Sequence, residues 1–108
     1  KKMATGRLGH ADLAAGTNTS LYTVPANTFG IVTLSICNRG NSAISVRVAV
    51  ASAGTPALSE YVEYDVEVLA KGVLERSGIA LAAGQILVVY SSAVNVSAVA
   101  MGIETSTA

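Results

Sequence analysis

The sequence predicts an all-β protein: a single β-sandwich or jelly roll of about seven or eight short antiparallel strands. Three observations carry this. Apolar and polar residues alternate at period two wherever the pattern is clear. Clusters of Gly, Asn and Pro break the alternation at short intervals, as in sandwiches. Val and Tyr, which suit pleated surfaces, are dense within the alternating runs.

The elements follow in order. Residues 1–19 lack strand alternation and are expected to form an extended N-terminal arm, with a turn of helix near Ala11 to Ala15. The sandwich domain is expected over residues 20–108. A short strand over residues 20–24 stops at Pro25, and Pro25, Ala26, Asn27 and Thr28 form a turn. Residues 30–38 place Val32, Leu34 and Ile36 on one face and Thr33, Ser35 and Cys37 on the other. Residues 43–51 turn Ile44, Val46, Val48 and Val50 inward. Between them, Asn38 to Ser42 has turn chemistry, with Gly40 or Asn41 able to take positive φ, so the two strands read as a hairpin.

Residues 60–69 alternate Val62, Tyr64, Val66 and Val68 against Glu63, Asp65 and Glu67. Leu58, Val62, Val66 and Leu69 also share a helical face, but the strict alternation and the Val and Tyr content favour a strand. Ala70, Lys71 and Gly72 turn the chain. One or two short strands follow around Gly78. A tight turn at Ala82, Ala83, Gly84 and Gln85 leads into residues 86–91, apolar on both faces as in a strand covered on both sides. Residues 96–104 set Val96, Ala98, Ala100 and Gly102 against Val99, Met101 and Ile103.

Composition narrows function. Seven Lys+Arg balance seven Asp+Glu, and charged residues are 13% of the chain, against about 25% in ordinary domains. A disordered chain would carry more charge and less Val, Ile and Leu. A nucleic-acid partner would call for a basic excess or a basic stripe with stacking aromatics, so none is expected. The uncharged stretches at residues 13–38 and 77–103 are broken by turns, so no membrane span is expected. The start lacks an apolar stretch behind its basic residues, so no signal peptide is expected. A neutral, charge-poor surface favours association, which implies that neighbours cover much of it.

Few residues suggest chemistry. His10 is the single histidine and falls in the expected arm, without the rigid orientation a catalytic base needs. Cys37 lies within a strand and reads as a packing residue. One Cys and one His make no zinc cluster. Glu63, Asp65 and Glu67, at a spacing of two, would share one strand face. That face could be solvated and blunt an edge strand, meet a basic neighbour, hold Ca²⁺, or act in acid–base chemistry. Phosphate-binding glycine loops are absent from the sequence. Tyr64 and Tyr90 fall on expected buried faces, leaving Tyr22 and Tyr61 as stacking candidates. No catalytic, cofactor or metal site is expected, and the chain reads as non-enzymatic.

The sequence also resembles small virion structural proteins of tailed bacteriophages. The matching runs are Met3 to Gly9, Ala11 to Ala15, Leu21 to Ala26, Ile36 to Gly40 and Val46 to Val50, then Tyr61 to Asp65 and Gly72 to Gly78. Ala83 to Gln85, Ser91 to Ala93, Asn95 to Ser97 and Gly102 to Glu104 complete it. The resemblance implies a compact β-sandwich present in many copies in the virion. It implies a capsid decoration (cement) protein on the shell exterior or an accessory protein of the tail. The expected partners are further copies of the chain, as a trimer or larger ring, and other virion proteins such as the major capsid or tail proteins. The candidate inter-subunit residues are Lys1, Lys2 and Arg7 of the arm, Arg39, Arg47 and Arg76 as rare charges that fix register, and the acidic Glu63, Asp65 and Glu67. The alternative is a receptor- or glycan-binding module at a tail or fibre tip, using Tyr22 or Tyr61 and the loop at Gly54, Thr55 and Pro56.

Overall fold

The computed structural model describes residues 5–107. Eight strands run in chain order: β1 (Thr5–Asp12), β2 (Thr17–Thr23), β3 (Thr28–Asn38), β4 (Ile44–Ala51), β5 (Tyr61–Val68), β6 (Val73–Leu81), β7 (Ile86–Ser91) and β8 (Val96–Ser106). One turn of 3-10 helix, Leu58–Glu60, precedes β5. The strands form two four-stranded antiparallel sheets, ordered β1-β8-β3-β6 and β2-β7-β4-β5. The pairing is nested: β1 with β8, β2 with β7, β3 with β6 and β4 with β5. The chain is thus one long hairpin, doubled at β4–β5 and rolled so that its strands divide between two layers.

The core lies between the sheets, built from alternate residues of both inner faces. Val32, Leu34 and Ile36 of β3 meet Ile44, Val46 and Val48 of β4, with Leu87 and Val89 of β7 and Val96, Ala98 and Ala100 of β8. These faces are as the alternation predicts. The central strand β7 is covered on both sides: Val88, on its outer side, packs with Ala49 and Ala51 beneath Tyr61 and Ile86. The turns at Asn27 and Gly84 take positive φ, where Asn and Gly are least strained.

Three expectations are corrected. From Thr5 onward the expected arm is structured: β1 pairs along β8, and β2 begins at Thr17 rather than residue 20. A bulge between Arg7 and Gly9 shifts the phase of β1, which hides its alternation. Gly9 is needed there, because a Cβ would lie 2.2 Å from the Leu21 carbonyl oxygen of β2. In place of a helical turn, Leu13 is buried and donates its N–H to the Val96 carbonyl at 2.8 Å.

Second, β3 and β4 are not a hairpin. They lie in opposite sheets, so their connection spans the roughly 10 Å between layers. Gly40 and Asn41 are absent from the positive-φ residues. Asn38 organises this crossing instead. Fully buried, its side-chain amide donates to the carbonyls of Ser42 (2.8 Å), Val68 (3.1 Å) and Leu69 (3.2 Å), and its Oδ1 accepts from the Gly40 N–H (3.0 Å).

Third, β5 does not hold one face. Val46 pairs with Val66 but Val48 pairs with Glu63, so Tyr64 and Asp65 together oppose Arg47. Asp65 takes φ 52, which a short polar side chain tolerates better than most. Val62 and Tyr64 are exposed rather than inward. A further register shift between Val48 and Ala49 leaves Val50 half-buried and Ala49 fully buried. The segment around Gly78 is one strand, with a bulge where Gly78 has φ 71.

Candidate functional site

Among the described residues, two outer faces and a cleft are open to a partner. On the outer face of the β2-β7-β4-β5 sheet, the β5 bulge gathers a cluster around Arg47. The Arg47 guanidinium lies 4.4 Å from the Tyr64 ring centre and 4.5 Å from that of Tyr90. Its Nε donates to Asp65 Oδ1 at 2.6 Å. Tyr61 packs edge-on to Tyr64 at 5.0 Å. Two successive residues opposite one arginine thus supply a ring face and a carboxylate to a single cation. The bond to Asp65 raises the Arg47 pKa above its ordinary value.

The expected acidic stripe is therefore divided. Asp65 serves Arg47, and Glu63 reaches Arg76 Nη1 at 2.5 Å on the facing sheet. Glu67 is exposed, opposite Ser45. Among the described residues, no group of three or more His, Cys, Asp or Glu side chains is placed to hold a metal. Arg39 pairs with Asp12. Arg39, Arg47 and Arg76 are thus engaged within the chain. Arg7 makes no ion pair among the described residues, and Lys1 and Lys2 lie outside them.

The outer face of the β1-β8-β3-β6 sheet differs in character. Cross-strand registers define its rows. Thr5, Ile103, Ile31 and Ala80 form one row. His10, Val99, Ser35 and Glu75 form another, and Asp12, Ser97, Cys37 and Val73 a third. Arg7, Met101 and Thr33 lie between the first two, and Phe29 beside Thr105 extends the face. Ile31 is 39% exposed, Ile103 48% and Met101 37%. Aliphatic side chains in the middle of a sheet, open to solvent, form the kind of apolar patch that marks an interaction surface. Cys37 is a half-buried free thiol on this face.

At one end of the sandwich, Asn38, Gly40, Asn41, Ser42, Ile44, Ala93, Val94 and Asn95 line a cleft of about 190 Å³. That is below the roughly 300–1,000 Å³ of small-molecule sites. Tyr22, a stacking candidate by sequence, is buried, and its hydroxyl donates to Glu104 Oε2 at 2.6 Å. Burial first, then this bond, push its phenol well above the ordinary value. Tyr64, expected to be buried, is half exposed. Sequence reasoning missed the Arg47 cluster because a bulge has no period of its own. The Met101 and Ile103 alternation was its only signal for the apolar face.

Comparison with protein-family models and with curated proteins finds no match to this chain. Among the described residues, no helix is long and apolar enough to cross a membrane.

Proposed function

We propose that this protein is a non-enzymatic virion structural protein of a tailed phage. In this reading many copies act as a decoration (cement) protein on the capsid exterior or as an accessory protein of the tail. The single observation that carries it is the solvent-open aliphatic face of the β1-β8-β3-β6 sheet on a chain of zero formal net charge. Such a surface gains by being covered. The strand order adds support. Eight strands nested as a rolled hairpin in two four-stranded sheets favour a jelly-roll reading, an architecture found among capsid domains, lectins and cupins. Fold alone does not fix function; the sequence resemblance to virion proteins is what favours the phage reading among those uses.

The test is co-sedimentation. Particles from the organism encoding the chain are banded by density and assayed with an antibody against the purified protein. Many copies per particle are expected in the band. Recovery only from the soluble fraction overturns the reading.

A second reading rests on the Tyr61–Tyr64 pair, which offers aromatic surface beside a cation. It makes the second sheet a glycan- or receptor-binding face. Glycan binding abolished by Tyr64→Ala, with the fold intact, would favour it.

A further inference from the structure

We propose that the outer face of the β1-β8-β3-β6 sheet is a twofold interface with a second copy of this chain. The twofold axis runs parallel to the strands between β8 and β3. The inference rests on the multi-copy reading and adds the face, the symmetry and the facing residues.

The registers carry the argument. A rotation about an axis along the strands reverses strand order across the sheet but keeps each row level. It lays β1 over β6 of the second copy, and β8 over β3. His10 and Glu75 stand in one row at opposite edges, through Val99 and Ser35. The rotation therefore sets His10 opposite Glu75 of the other copy, twice, with Arg7 one row away. Arg7 and Glu75 make no ion pair within the chain among the described residues. A twofold axis across the strands would instead place β1 over β1, setting Arg7 near its own copy. Like charges facing each other disfavour that choice.

Shape agrees. With β8 over β3, Met101 meets Thr33, Val99 meets Ser35 and Phe29 meets Thr105, a large side chain against a small one each time. Ile31 meets Ile103 beside the axis, one row from the middle of the face. An apolar centre with charges at the rim is the anatomy of protein interfaces. Area is sufficient too. Four strands about 4.8 Å apart and about ten residues long present roughly 600 Å² per copy. Two copies would bury about 1,200 Å², above the roughly 1,000 Å² of a specific interface.

The experiment is light scattering of the full chain across a concentration series, with circular dichroism to check the fold. A dimer is expected. Glu75→Arg is expected to weaken it at least tenfold, and Arg7→Glu combined with Glu75→Arg to restore it. Ile31→Glu is expected to give a folded monomer. Assembly that none of these substitutions changes overturns the interface, while leaving the multi-copy reading to the sedimentation test. A wild-type monomer at all concentrations overturns the dimer as well. If that monomer is found in particles with this face protected from hydrogen exchange, the face belongs to another virion protein and the proposal falls.

Discussion

Glu63 on β5 and Arg76 on β6 form an ion pair at 2.5 Å that joins the edge of one sheet to the edge of the other. Both strands are terminal in their sheets, so this pair closes one open side of the sandwich. It exists because the β5 bulge carries Glu63 to the register position of the buried Val48. Glu63 is the less exposed partner, with its side chain 20% accessible against 45% for Arg76. A double-mutant cycle with Glu63→Gln and Arg76→Gln should give a coupling of about 0.5–1 kcal/mol by urea denaturation, shrinking in high salt.

Arg47→Lys keeps the charge but removes the flat guanidinium that lies against both Tyr64 and Tyr90. Lysine cannot reproduce that stacking or the fork presented to Asp65. The urea midpoint should fall in Arg47→Lys, and near-ultraviolet circular dichroism from the tyrosines should change. An unaltered spectrum would show that the rings are not organised by the guanidinium.

Asn38→Ala should be the most damaging polar substitution. It strands the buried carbonyl of Val68 and frees the crossing between β3 and β4. A loss of about 2–4 kcal/mol is expected, a fall in Tm of about 10–20 °C by calorimetry. Asn38→Asp should rescue only the bond from Gly40.

Tyr22 sets the alkaline limit. Its phenol holds its proton more tightly folded than unfolded, because of burial and the bond to Glu104. That contribution is complete below the unfolded value of about 10 and is lost as pH rises beyond it. Stability should decline above about pH 10, and Tyr22→Phe should flatten that decline. Tyr22→Phe should itself cost about 1–2 kcal/mol at neutral pH.

Deleting residues 1–19 should unfold the protein rather than trim it. The deletion removes β1, exposes the backbone edge of β8 and uncovers the core below Leu8, Ala11 and Leu13. Gly9→Ala should act in the same direction, through the close approach to Leu21. Circular dichroism and proteolysis would check both.

What could be read from sequence followed from burial on one side of a regular strand. Val32, Leu34 and Ile36 declare a face because nothing interrupts their period, and the same holds for Ile44, Val46 and Val48. The period fails at Asp65, where a positive φ adds a residue and turns the acids to different partners. It also fails at Arg7 to Gly9, so a paired edge strand reads as a loose arm. The hairpin expected at Asn38 to Ser42 had suitable residues, but local chemistry does not reveal which layer the next strand joins. That is decided by the buried Asn38 amide, whose partners at Val68 and Leu69 lie about thirty residues away. The Arg39, Arg47 and Arg76 pairings were invisible for the same reason: each acid is distant in sequence.

The nested pairing bears on how the molecule comes to be folded. The β4–β5 pair is the one closure made between neighbouring strands, and each later pair encloses the one before it. Loop-closure entropy therefore makes the central pair the natural starting point, with β3–β6, β2–β7 and β1–β8 joining outward in turn. On the ribosome β1 emerges first yet finds its partner last, after β8 has been made. Until then β1 carries its Gly9 and Leu8 unpaired, in the company of other nascent chains. A protein of this kind should fold slowly for its size. Its yield should depend on synthesis rate and temperature more than on the stability of the finished sandwich.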